Sequence, residues 1–161
     1  MKKFITLNKY GELYIDKILF ETYFPIIFTC KNENNDIFIC VCCQCNENGC
    51  KWLVGRTNGS FIVRMLQNEI TIRQLFLDCC TEKISVDYKN HEYVIAYNNS
   101  DWNEESDSLP KKDAYIDAEE GEFDEEIAYF TSIEHVEYNE EYYKIIIKEL
   151  STIGNTMVCI R

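Results

Sequence analysis

Histidine is nearly missing: only His91 and His135 occur in 161 residues, and neither sits in a nucleophile motif. Catalysis by an activated thiol needs a base held against it and a third group to orient that base, so this scarcity argues against an enzyme. Long apolar runs are missing too. No stretch reaches the ~18 residues that a membrane-spanning helix requires. Met1-Lys2-Lys3-Phe4-Ile5-Thr6-Leu7 begins like a secretory leader, but Asn8, Lys9 and Glu12 break the run early. The expectation is a soluble, cytoplasmic protein with no membrane contact. Basic residues are in short supply, 16 against 28 acids, for a net charge of −12. Nucleic acid and anionic membranes are gripped by clusters of Lys and Arg, so direct nucleic-acid binding is not expected. No internal repeat is found.

What is present is unevenly placed. Residues 101–141 hold sixteen acids and only Lys111 and Lys112 as bases, a local charge of −14, while the other 120 residues sum to +2. Carboxylates crowded this densely repel one another and belong on a solvated or partner-facing surface. Hydrophobic residues make up 46% and aromatics 14% of the chain, enough for a real core rather than a disordered acidic tail.

The first half reads as an antiparallel β-meander. Leu13, Ile15 and Ile18 begin a strand after the turn at Lys9-Tyr10-Gly11; Pro25 to Cys30 forms another, and Ile37 to Cys43 follows the turn at residues 31–36. Asn46-Glu47-Asn48-Gly49 turns the chain back through Lys51 to Val54. Ser60 is the expected cap of a helix carrying Phe61, Ile62, Met65 and Leu66, and Thr71 caps a second with Leu75 and Phe76 inward. Lys83–Tyr88 and Glu92–Tyr97 make a further hairpin. Within the acidic part, Phe123, Ile127 and Phe130 share one helical face. Near the end, Asn139, Tyr143, Ile146, Ile147, Leu150 and Gly154 suit a capped helix, although three consecutive isoleucines favour a strand. The expected fold is α+β: an N-terminal antiparallel meander with two short helices, a further hairpin and an acidic C-terminal helical part. Residues 1–98 form the sheet domain, and 99–161 an acidic extension packed on it.

Nine cysteines invite a metal reading. Cys40 and Cys43, three apart on a strand, point to opposite faces and cannot share an ion. Cys45 and Cys50 flank a turn and face each other; with Cys79 and Cys80 they are the weak candidates for zinc. The competing reading, cysteine as a small buried hydrophobe, is the one adopted. An odd count and the lack of an export signal favour reduced thiols. Gly55 to Ser60, ahead of a helix, offers amides and Arg56 to an anion but lacks a phosphate-loop ending. Asp117 to Ala128 has its glycine and its last acid misplaced for a calcium loop. No cofactor is expected.

The acidic surface is therefore the main candidate site. Asp101, Trp102, Glu104, Glu105, Asp107, Glu119, Glu120, Glu122, Asp124, Glu125 and Glu126 are the expected partner-binding residues. Tyr115, Phe123, Tyr129, Tyr138, Tyr142 and Tyr143 are interleaved with the acids, as aromatic anchors are at interfaces where charge speeds encounter. The expected partner is a basic protein surface, such as that of a nucleic-acid-binding effector or a toxin. In the strictest version the carboxylates mimic phosphates.

Several stretches together resemble a family of small, functionally uncharacterised proteins of bacteria, phages and prophages. They are Tyr10-Gly-Glu-Leu-Tyr-Ile-Asp-Lys-Ile18, Tyr23-Phe-Pro-Ile-Ile-Phe-Thr-Cys30, Trp52-Leu-Val54 and Ile70-Thr-Ile-Arg-Gln-Leu-Phe76, with Leu109-Pro110 to Gly121-Glu122-Phe123 also similar. The resemblance implies a compact α+β domain and a setting of conflict between mobile elements and their hosts. The charge segregation with its embedded aromatics is what points to a non-enzymatic inhibitor or immunity protein, with a small-molecule- or zinc-binding accessory module as the alternative. The resemblance supplies no catalytic residue. The cysteines depart from the family pattern, in which those strand positions are ordinary apolar residues.

Overall fold

A computed structural model describes residues 1–97 and 109–133. Seven strands, β1 (Lys3–Leu7), β2 (Gly11–Glu21), β3 (Pro25–Lys31), β4 (Ile37–Asn46), β5 (Gly49–Thr57), β6 (Glu82–Lys89) and β7 (Glu92–Tyr97), form one antiparallel sheet in chain order. Helices α1 (Gly59–Leu66) and α2 (Ile72–Asp78) connect β5 to β6, and α3 spans residues 124–133. The α+β expectation holds at the level of class, with the sheet dominant. The expected C-terminal helix at 139–150 and the acidic stretch 98–108 lie outside the described residues.

Strand β2 is the reason the sheet curls. Its register shifts between Ile15 and Lys17 and twice more between Ile18 and Glu21. Such bulges add local twist and bend a strand. The sheet closes on itself until Phe4 of β1 meets Tyr93 of β7, with ring centroids 6.2 Å apart, and Lys9 pairs with Glu82 at 2.5 Å. Strand β1 is a correction to the sequence reading, which treated Met1 to Leu7 only as an interrupted leader. Ile5 and Leu7 are buried inside the curled sheet.

Both faces of the central strands are covered. On β4, Phe38 and Cys40 face the interior, while Ile37, Ile39 and Val41 face the helices. This double burial is why the segment reads as a continuous apolar run rather than an alternating one. Each such side chain contributes roughly 1.5–3 kcal/mol through its removal from water.

The helices owe their starts to side-chain oxygens. Asn58, not Ser60, caps α1: its Oδ1 accepts from Phe61 N at 3.1 Å and from the Ser60 hydroxyl at 2.9 Å. Thr71 caps α2, as its sequence predicted, in a reciprocal box with Gln74. Thr71→Ala is expected to lose about 1 kcal/mol of stability, read as a lowered urea midpoint with an unchanged slope.

Residues 109–133, the described part of the acidic segment, pack on the same core. Leu109, Phe123 and Phe130 enter the helix-side core. Main-chain and side-chain bonds reinforce the seam: Ile72 N donates to Ala114 O at 3.0 Å, Arg73 Nη1 to Pro110 O at 2.8 Å, and Asn68 exchanges two bonds with Ala118.

Candidate functional site

Eight acids lie between residues 109 and 133, and Asp113, Asp117, Glu119, Glu120, Glu122, Asp124 and Glu125 are exposed while Glu126 is half-buried. None of the eight forms an ion pair among the described residues. The backbone beneath them is ordered by its own bonds. Glu119 N donates to Glu122 Oε2 at 2.8 Å, Glu122 N donates to Glu119 O, and Gly121 supplies the left-handed turn at φ 82°. Asp124, Glu125 and Glu126 occupy the first turn of α3, where negative charge offsets the positive end of the helix dipole. Part of the acidity therefore has a local, helix-stabilising cause. Asp101, Trp102, Glu104, Glu105 and Asp107 lie outside the described residues, as do His135, Tyr138, Tyr142 and Tyr143.

The aromatic anchors are mostly used internally. Phe123 is buried, and Tyr129 is half-buried beneath the acidic helix; among the described aromatics of this segment only Tyr115, 40% exposed, is offered to solvent. This corrects the reading of Phe123 and Tyr129 as interface anchors. Their periodicity serves the core.

Tyr129 ties α3 to the sheet. Its hydroxyl donates to Asp16 Oδ2 at 2.6 Å, and the ammonium groups of Lys17 and Lys31 lie 4.4 and 4.9 Å from its ring centre. Burial, then the bond to Asp16, pushes the phenol well above its usual range. A raised value means the native state prefers the neutral phenol. The resulting stability is complete below the ordinary tyrosine pKa of about 10 and is lost as pH rises beyond it. Tyr129→Phe is expected to lose about 1.5 kcal/mol at neutral pH. Urea titrations at successive pH values should then show the gap to wild type narrowing above pH ~10.

The cysteines separate into unrelated places. Cys30 and Cys40 sit fully buried inside the sheet with sulfurs 3.8 Å apart, and burial holds the Cys40 thiol far above its usual pKa. Cys43 packs on the helix side, opposite to Cys40. Cys45 and Cys50 face each other across the β4–β5 turn with their sulfurs in contact, as their placement around the turn predicted. Cys80 lies against Gly55, five strand residues from Cys50, or roughly 16 Å. The four weak zinc candidates therefore do not converge, and among the described residues no group of three His, Cys, Asp or Glu side chains could hold a metal.

Gly55, Arg56 and Thr57 prove to be the end of β5, their backbones committed to the sheet register opposite Ile39, Phe38 and Ile37. They are not a free anion-binding loop. Arg56 instead pairs with Asp36 at 2.8 Å, on the rim of a cavity of about 750 Å³ between the β3–β4 turn, the start of α1 and the end of α3. Sequence reasoning missed Asp36, Lys31 and Phe61 as cavity residues. The pairing of Ile37 with Thr57 puts Asp36 beside Arg56, a register that the turn lengths alone do not supply. His91 sits in the β6–β7 turn at φ 64°, away from this lining.

Compared with known proteins, the chain matches no family model, no curated protein and no solved structure.

Proposed function

We propose that the protein is a non-enzymatic antagonist that docks its acidic face on a basic protein surface. One observation carries the reading: seven exposed carboxylates of a single sign, without ion-pair partners among the described residues, ride on a backbone anchored by Leu109, Phe123 and Phe130. Charge mounted on an ordered scaffold loses little freedom on binding and steers encounter with an opposite surface. The family resemblance supplies the biological setting. The partner class is a defence nuclease in a phage context or a toxin in an immunity context, and in either the carboxylates occupy a groove made for phosphates. Asp113, Glu119 and Glu120 are the residues to test, because they are exposed, precede α3, and their side chains take no part in the bonds that order the turn.

The experiment is capture of a partner from host lysate, followed by affinity measurement at low and high salt. The triple variant Asp113→Lys, Glu119→Lys, Glu120→Lys is compared with wild type. Recognition led by charge should weaken by on the order of ten-fold as salt screens it, and the variant should lose retention. An affinity indifferent to salt and to the triple reversal would sink the proposal.

A further inference from the structure

The cavity beside Arg56 has a volume typical of small-molecule sites. Ile37, Phe61 and Ile133 give it an apolar wall; Lys31, Arg56, Asn34, Asn35 and Thr81 supply hydrogen-bond donors. Arg56 points to the ligand class. Its Nε and Nη2 both donate to Asp36 Oδ1, at 3.3 and 2.8 Å, and Nη1 reaches Thr81 Oγ1 at 3.4 Å. Asp36 is itself held through its other oxygen by Asn32 Nδ2 at 2.8 Å. The guanidinium is thus fixed before any ligand arrives, and two of its five N–H groups remain uncommitted in that set of bonds. A pre-placed donor lowers the ordering cost of binding.

Lys31 also lines the cavity, but its ammonium is held by Asp16 at 3.8 Å and by the Tyr129 ring, so Arg56 is the cation on which the site depends. Cys79 also lines the cavity, but burial, and then the neighbouring Asp78, raise its thiol pKa.

We propose that this cavity binds a small organic oxyanion, a carboxylate or phosphate monoester carried on an apolar or aromatic body. Arg56 receives the charge, and Phe61 and Ile133 receive the body. The acidic face plays no part, so failure of either proposal leaves the other standing.

The test is a titration of the full chain, followed by amide NMR shifts, with phenyl phosphate, benzoate, inorganic phosphate and benzyl alcohol as separate probes. Saturable shifts at Asn34, Asn35, Arg56, Thr57 and Thr81 are expected with phenyl phosphate or benzoate, and the stronger of the two identifies the head group. Inorganic phosphate should bind roughly ten-fold more weakly for lack of a body, and benzyl alcohol should not saturate. Arg56→Lys keeps the charge but loses the planar fork, and should weaken the better probe by about ten-fold. Should that variant fail to fold, the wild-type shift map decides alone. Shifts that never saturate, that map elsewhere, that benzyl alcohol reproduces, or that persist unchanged in Arg56→Lys overturn the assignment.

Discussion

Phe130→Ala is expected to remove about 3–5 kcal/mol of stability, the usual penalty for emptying a fully buried aromatic position. Phe130 is 0% exposed, packs in the helix-side core, and meets the Tyr129 ring edge-on at 5.0 Å. Its loss does more than open a void, because Phe130 and Phe123 are what seat α3 on the sheet. Chemical denaturation should show a large drop in midpoint. Proteolysis near residues 109–133 should accelerate ahead of cleavage in the strands, since the docked segment opens first. A variant within 1 kcal/mol of wild type would mean that α3 contributes little to the core and that the acidic face has no fixed base.

Gly55→Val is the second large effect, through crowding rather than loss. Gly55 lies mid-sheet, opposite Ile39 on one side and Lys83 on the other. A Cβ added there would come 2.5 Å from Cys80 Sγ and 3.2 Å from Phe76 Cδ1. Phe76 is fully buried and has no open space to move into, and Cys80, though only partly buried, packs against the same core. The expected cost is about 3 kcal/mol, the upper part of the range for overpacked cores. The cause can be isolated with a smaller pair. Gly55→Ala should be partly rescued by Cys80→Ala, which removes the nearest atom, with a coupling of about 1 kcal/mol in a double-mutant cycle. Additive losses would show that the contact with Cys80 is not the source of the strain.

Much of the sheet was legible because turn chemistry is local. The run Asn46-Glu47-Asn48-Gly49 and the residues Lys89-Asn90-His91 announce reversals by composition, and the strands fall between them. Thr71 announces α2 in the same way, although its partner Gln74 was not read from the sequence. The errors share a different origin, in that they depend on contacts far apart in the chain. Lys3–Leu7 looks like a leader until β2 pairs with it. Asn58 displaces Ser60 as the cap because β5 runs on to Thr57, opposite Ile37, leaving Asn58 as the first residue off the sheet. The acidic site was half legible. Its charge is visible in composition, and the inward face of α3 follows from the spacing of Phe123, Ile127 and Phe130. That Tyr129 is sequestered follows only from Asp16, 113 residues earlier. The cavity was not legible at all, since Lys31, Arg56 and Ile133 meet only once three separate elements are assembled.

A sheet whose every strand pairs with its predecessor has a kinetic consequence. From β1 to β7 each new strand finds its partner next door, so loop closure is inexpensive at every step and the curl can grow during synthesis. Residues 109–133 are the exception, since α3 must travel back to β2 and β3 to seat Tyr129. Until that return, the helix-side core lacks Leu109, Phe123 and Phe130 and stays partly open to water. Docking of the negatively charged helix therefore follows assembly of the strands it lies against, and it removes apolar surface that would otherwise meet neighbouring chains.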